Sequence, residues 1–255
     1  MKPLNNIHFL VISLTDAFDR RAQVEKQFES LGYPFSYLDA VDGRKFDRLP
    51  DRYAADARQL RYGYDLSDGE IACFLSHRRA WEYCLTNQIN VVIFEDDVVI
   101  DKSLLGLLGQ ISTLKVAFDC LRLSGLTERS ISRIKIANLE YWQLVEEMQD
   151  PGGAGAYLLK PAGAMKLLDA STKFYEPVDN FIENRARNKL NLISLVPYPV
   201  KQNTLPSTIV DRVGFEKSKR HRLRRLFFRT VSDVKRTFWA IGRYLSRKTV
   251  ESYPD

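Results

Sequence analysis

An α/β fold, in which a mostly parallel sheet carries helices on both faces, is the class that three features of this 255-residue sequence predict. The first is a strand, helix, strand progression within about the first 40 residues, the pattern of a βαβ unit. The second is Val91-Val92-Ile93-Phe94, an apolar run that reads as a strand buried on both faces, as in a covered parallel sheet. The third is length: a chain of this size buries a full core, as one large domain or one domain with a tail.

The elements follow in order. Ile7 to Leu14 reads as the first strand, and Asp19 to Leu31 as a helix closed by Gly32 at the position after its end. Phe35 to Leu38 makes a second strand, ending in Asp39-Ala40-Val41-Asp42-Gly43. Residues 44–66 are rich in Arg, Asp and Tyr without clear periodicity and are expected to form a surface excursion. Ser67-Asp68-Gly69-Glu70 has the form of a capping box, and Ile71, Phe74, Leu75, Arg78, Trp81 and Leu85 follow at helical spacing. After the buried strand come a helix from about Ser103 and a strand near Phe118 to Leu123. Gly152, Gly153 and Gly155 lead into another strand, Pro161 and Pro177 suit the first positions of two helices, and Leu192 to Val196 is the last strand. Pro197 and Pro199 are expected to end the regular body.

The chemistry concentrates where the buried strand runs into Glu95-Asp96-Asp97, at the kind of strand end where α/β proteins place ligands. Adjacent carboxylates repel unless a cation or hydrogen bonds compensate, so the triplet reads either as a hard divalent-ion site or as a solvated turn. In extended chain Glu95 and Asp97 point one way and Asp96 the other. Ser76-His77-Arg78-Arg79 reads either as an anion-binding set or as an exposed helix face. Asp39 and Asp42 suit a ribose or base, or a plain Asp-Gly turn. The glycines at 152, 153 and 155 make no P-loop, because no Gly-Lys-Ser/Thr follows; they admit a substrate or a strand close to the backbone, or simply turn. Asp179, in the first turn of a helix, is either a dipole partner or a general base.

Charge is unevenly spread. Residues 217–248 hold twelve Lys or Arg against one acid, Asp233, a net +11 inside an overall +6, which leaves the rest of the chain at −5. Cys73, Cys84 and Cys120 form no disulfide pattern, which favours a reducing compartment. A zinc set of Cys73, His77 and Cys84 is set aside because eleven residues of helix separate the two sulfurs by about 16 Å; the cysteines are expected to be small core residues. The apolar start is too short and too quickly followed by charge for a secretory signal, and no run is long enough to span a membrane, so a cytosolic protein is expected.

Val11-Ile12-Ser13-Leu14 with Arg20-Arg21, Ala40-Val41-Asp42-Gly43, the segment Leu66 to Arg78, Ile93-Phe94-Glu95-Asp96-Asp97, Gly155-Ala156-Tyr157-Leu158 and Pro177-Val178-Asp179 together resemble glycosyltransferase family 25 over about residues 5–210. That family includes bacterial lipooligosaccharide galactosyltransferases and the collagen galactosyltransferases. The resemblance implies a GT-A type nucleotide-sugar-binding fold over residues 1–212, a UDP-sugar donor, manganese (or magnesium), and inversion at the anomeric carbon. It places the ion on Glu95 and Asp97 as a DXD motif with Glu in first place. Asp179 is the expected base with Glu183 in reserve, and Arg20, Arg21, Asp42, His77, Arg78 and Asp96 are the expected donor-binding residues. The expected acceptor is a glycolipid or oligosaccharide.

Residues 213–255 read as a basic amphipathic tail, with Phe227, Val231, Val234, Phe238, Ile241 and Leu245 recurring at spacings of three and four. Such a helix suits an anionic membrane surface, which places the protein at the inner face of a bacterial inner membrane; a packing helix with a solvated basic face is the alternative. Nucleic-acid binding through the tail is disfavoured by the acidic body and the apolar stripe. An inactive sugar- or partner-binding relative is disfavoured by the retained carboxylates.

Overall fold

The computed structural model describes residues 7–114, 116–126 and 133–203, with scattered positions between 227 and 242. Strand β1 (Ile7–Ser13) leads through helix α1 (Phe18–Leu31) to β2 (Ser36–Asp39), and the two strands pair in parallel. Gly32 ends α1 at φ 64°, its N–H donating to the carbonyls of Phe28 and Glu29. A side chain at that φ would be strained, which is why glycine stands there.

The stretch expected to be a surface excursion is more ordered than that. It contains a 3-10 turn at Gly43–Lys45 and helix α2 (Ala55–Tyr62), and it buries Tyr53 and Arg58. Arg58 hides the periodicity, because a charged residue holds the inward position. Its guanidinium donates to the carbonyls of Tyr64 and Tyr175 and lies over the rings of Tyr62 and Tyr64.

Helix α3 (Asp68–Asn87) opens with the capping box: the Ser67 hydroxyl accepts from the Glu70 N–H, and the Glu70 carboxylate accepts from the Ser67 N–H. Next come β3 (Asn90–Glu95), β4 (Val98–Ile100), α4 (Leu104–Thr113) and β5 (Cys120–Arg122). A hairpin of β6 (Arg133–Leu139) and β7 (Trp142–Glu147) was not anticipated. Then follow β8 (Ala156–Leu159), α5 (Pro161–Ala170), α6 (Val178–Glu183), α7 (Arg185–Asn188), β9 (Leu192–Val196) and β10 (Val200–Gln202). Pro161 lies in the first turn of α5, whereas Pro177 caps α6 one residue before its start. Because β10 pairs with β4, regular structure continues past Pro199.

The main sheet has the order β2-β1-β3-β8-β5-β9-β7-β6. Six strands run one way; β8 and β7 are reversed, so β8 is antiparallel to both β3 and β5. The sheet is therefore mostly parallel in direction yet mixed in pairing. Alternation along its central strands divides two cores. Val91, Ile93, Tyr157 and Leu159 face α3, α5 and α6, while Val92, Phe94, Ala156 and Leu158 face α1 and α4. On the first side Phe74 stacks on Phe174 with centroids 3.8 Å apart, and Trp81 stacks on Phe181 at 5.9 Å. Each buried ring contributes about 1.5–3 kcal/mol, enough to make a stiff wall behind whatever α3 presents to the sheet.

The boundary expected near 212 lies outside the described residues, as does Leu245. Phe227, Val231, Val234, Phe238 and Ile241 are helical. Phe227 and Phe238 are 63% and 72% exposed, while Arg61 and Arg185 of the body lie over the rings of Phe228 and Trp239. Among the described residues no helix is long and apolar enough to cross a membrane.

Candidate active site

Strand alternation decides where Glu95 points, and the turn formed by Asp96 and Asp97, both near Arg20, decides the rest. Val91 and Ile93 face α3, so Glu95 emerges on the α3 side, and Asp96 turns to the α1 side. Glu95 Oε1 lies 3.2 Å from His77 Nε2. Asp96 accepts from the Ser13 hydroxyl at 2.6 Å and from Arg20 Nη1 at 2.9 Å, which ties the end of β3 to β1 and α1. Asp97 is 9% exposed, and its Oδ1 is buried with no hydrogen-bond partner among the described residues. Burial raises the Asp97 pKa, Glu95 adds to the rise, and Arg20, 3.9 Å from Oδ2, opposes it. A buried carboxylate with an orphaned acceptor beside a second carboxylate fits a hard divalent cation, and Glu95 and Asp97 are the residues that would hold it.

His77 is fully buried, and its ring is oriented from behind. Trp81 Nε1–H, a donor only, donates to the Tyr157 oxygen at 2.8 Å, and Tyr157 lies 2.8 Å from His77 Nδ1. The Glu95 carboxylate accepts, so with a single ring proton Nε2 donates, Nδ1 accepts, and Tyr157 donates to it. The chain Trp81, Tyr157, His77, Glu95 thus fixes the carboxylate from inside the core.

Asp179 stands in the first turn of α6. Burial raises its pKa; Asp150 and Glu95 push the same way, against hydrogen bonds from the N–H groups of Asn180 and Gly153. The Cys73 thiol is pushed well up by burial and then by Glu95, Asp179 and Asp97. These groups therefore share one electrostatic neighbourhood at the ends of the central strands. Glu183, one turn further along α6, is engaged differently. It is buried, its pKa is raised by burial against the pull of Arg122, and Arg122 Nε donates to it at 3.1 Å. The same guanidinium donates to the carbonyls of Ser124, Gly152 and Gly153. Gly152 and Gly153 stand at φ 75° and 76°, and the Gly155 carbonyl accepts from the Glu95 N–H at 2.9 Å. The glycine segment thus brings a strand against the metal-candidate turn.

The remaining donor-binding expectations are scattered. Arg21 donates to the carbonyls of Leu14 and Ser13 and to Asp39, bracing the β1 end against β2. Arg78 reaches α5, donating to the Ser171 hydroxyl at 3.0 Å and pairing with Glu82; it is not brought to the acids. Asp42 caps the 3-10 turn, and the Arg44 guanidinium holds its carboxyl down at about 2. Gly43 is jammed against α3: a Cβ there would sit 2.5 Å from the Asp68 carbonyl. Cys84 and Cys120 are buried as expected, but Cys73 is only partly so and lies beside the acids. Sequence reasoning missed Cys73, Ser13, Asp150, Tyr157 and Trp81 as site neighbours; a Cys and a His four apart on one helix face, with an acid-ended strand next in sequence, was the signal for the first.

A family model described as glycosyltransferase family 25 (LPS biosynthesis protein) matches residues 6–182. The chain belongs to glycosyltransferase family 25. Among curated relatives it is similar to the lipooligosaccharide biosynthesis protein lic2B of Haemophilus influenzae, 32% identical over 42% of this chain and 40% of that protein. It is similar to the lacto-N-neotetraose biosynthesis glycosyltransferase LgtE of Neisseria gonorrhoeae, 36% identical over 43% of this chain and 39% of the relative. It is also 31% identical, over 68% of its length and 32% of the relative, to a probable inactive glycosyltransferase 25 family member 3 of Rattus norvegicus. The matches span less than half the length of each relative.

Proposed function

We propose that this family 25 chain is a metal-dependent, inverting glycosyltransferase of GT-A type that moves a sugar, galactose as the first choice, from a UDP-sugar to the oligosaccharide of a bacterial lipooligosaccharide. The observation that carries this reading is the buried, partnerless Asp97 Oδ1 beside Glu95, with Asp179 in the same neighbourhood. The relatives named for lipooligosaccharide and lacto-N-neotetraose biosynthesis support the acceptor class.

Glu95 and Asp97 would hold manganese or magnesium, which would supply positive charge for the diphosphate that leaves the sugar. Everything else falls to the chain. The His77 hydrogen bond holds Glu95 in one orientation, and Ser13 and Arg20 hold Asp96, so the turn does not spread as its charges repel. Asp179 takes the acceptor hydroxyl proton onto its carboxylate; burial makes it a stronger base than a solvated Asp. Glu183 does not share that role, because its partner is Arg122. Single displacement with a base opposite the leaving group gives inversion.

The tail is the proposed membrane contact. Phe228 and Trp239 sit under arginines of the body while Phe227, Val234, Phe238 and Ile241 remain exposed, so an apolar stripe faces outward from a strongly basic segment. The enzyme would then work at the inner face of the inner membrane, near a glycolipid acceptor.

The test is a screen of UDP-sugars with and without manganese against truncated lipooligosaccharide, with the product linkage read by NMR. A β-linked galactosyl product that appears only with a divalent ion supports the reading. The presence of an inactive relative makes the second outcome concrete: binding without turnover for every donor would assign the chain a binding role.

A further inference from the structure

We propose that Cys73, His77 and Glu95 form a binding site for a borderline transition-metal ion, zinc being the type case, distinct from the hard-ion pair of Glu95 and Asp97. The proposal rests on the functional reading only in sharing Glu95 with it.

Cys73 and His77 lie four residues apart on α3 and so share a face. Glu95 comes from the end of β3, which α3 packs against. The sulfur, a ring nitrogen and a carboxylate oxygen all lie within 4.8 Å of one another. Around tetrahedral zinc, with Zn–S about 2.3 Å and Zn–N about 2.0–2.1 Å, donors stand roughly 3.3–3.7 Å apart. His77 Nε2 and Glu95 Oε1, at 3.2 Å, are about 0.1 Å inside that spacing, and the sulfur, within 4.8 Å of the other donors, has about 1 Å to close.

The donor types choose the metal. A thiolate and an imidazole favour zinc or cobalt over magnesium, which prefers oxygen alone. The surroundings favour a cation as well: after burial, the charges of Glu95, Asp179, Asp97 and Glu70 are what push the thiol pKa up, so the sulfur sits in a negative field. Binding breaks the S–H bond, forms the metal–sulfur bond and releases that proton to solvent. The ring proton passes to Nδ1 and the Tyr157 O–H, which had donated there, turns away so that the Tyr157 oxygen accepts from Nδ1, an outer-sphere hydrogen bond of the kind that orients metal-bound histidine. Cys73 is only partly buried and the Glu95 side chain is 26% exposed, so a fourth position is open to water. Because Glu95 cannot serve both ions fully, zinc at this site would inhibit manganese-dependent transfer.

The experiment uses the reduced, metal-free full chain. Cobalt titration should produce a near-ultraviolet sulfur-to-cobalt charge-transfer band in the wild type and in Asp97→Asn, and none in Cys73→Ser, whose melting temperature without metal serves as the folding control. Zinc should block alkylation of Cys73, magnesium should not, and EDTA should restore it; Cys84 and Cys120 are fully buried in the core, out of the reagent's reach, whereas Cys73 is only partly buried. Cobalt binding without the band, a band that survives Cys73→Ser, or one lost equally in Asp97→Asn would overturn the separate site. Manganese-dependent transfer is measured independently through Asp97, so failure of this proposal leaves the functional reading standing.

Discussion

Replacing Asp97 with Asn separates the cost of the site from its use. In the metal-free protein the Asp97 carboxylate is nearly buried, 3.9 Å from Arg20 Nη1. At an effective dielectric of about 20 that attraction is worth roughly 4 kcal/mol before desolvation. The pKa is nevertheless raised, so burial and the neighbouring Glu95 and Asp96 outweigh it. A neutral, nearly isosteric amide therefore leaves the empty fold as stable or more stable. A gain of about 1 kcal/mol would appear as a melting point about 2–4 °C higher. With manganese and UDP-sugar the order reverses, because one ion ligand is gone: transfer should fall at least about 10²-fold, some 2.7 kcal/mol in the transition state, and the melting shift induced by manganese should vanish. Differential scanning fluorimetry with and without manganese, beside initial rates, reads both effects. An Asn variant that melts well below the wild type without metal but keeps its manganese shift and its rate would refute the reasoning.

Four further outcomes follow from the same geometry. Asp179→Asn should lower turnover by about 10²–10⁴-fold with little change in UDP-sugar affinity; because burial raises the Asp179 pKa, the wild-type rate should decline as pH falls through a range above that of ordinary aspartates, and the variant should lack that limb. The raised carboxyls of Asp97 and Asp179 favour folding below the ordinary aspartate range and lose that contribution as pH rises through their raised values, so stabilisation by manganese, which competes with the Asp97 proton, should grow with pH in thermal melts. Glu183→Gln should cost about 3–5 kcal/mol in urea unfolding by leaving the buried Arg122 without its counter-charge, and any activity loss should follow unfolding rather than a pH limb. Replacing Phe227 and Phe238 by Ser should weaken sedimentation with anionic vesicles at low salt, and wild-type binding should itself fade as salt rises; unchanged binding would remove the tail from the account.

Much of the framework was legible because its signals are local. Gly32 after α1, the Ser67 and Glu70 capping box of α3 and the unbroken Val91–Phe94 run each work within a few residues. The β6–β7 hairpin was not read, although Ile134 and Ile136 alternate with polar neighbours. Its two-residue loop is Glu140-Tyr141, with Glu140 at φ 50°, where no Asn-Gly or Asp-Gly announces a turn. Helix α2 was hidden by Arg58, whose burial depends on the Tyr175 carbonyl, distant in sequence, as well as on the nearby Tyr62 and Tyr64 rings. The site divides in the same way. The alternation that sends Glu95 to the α3 side follows from the strand, whereas Asp96 is held in the turn beyond it by Ser13 and Arg20. The pairing of Glu183 with Arg122, the turn of Arg78 toward Ser171 and the meeting of Cys73 with Glu95 are tertiary, and no local spacing encodes them.

The central claim is that Glu95 and Asp97 hold a divalent ion beside Asp179. Anomalous diffraction at the manganese edge, from crystals grown with UDP and manganese, tests it most directly. The account predicts one strong peak within about 2.0–2.4 Å of a carboxylate oxygen of Glu95 or Asp97, or one water away, with the diphosphate on its open side. A bound UDP with no peak there, or a peak that touches neither carboxylate, would contradict it.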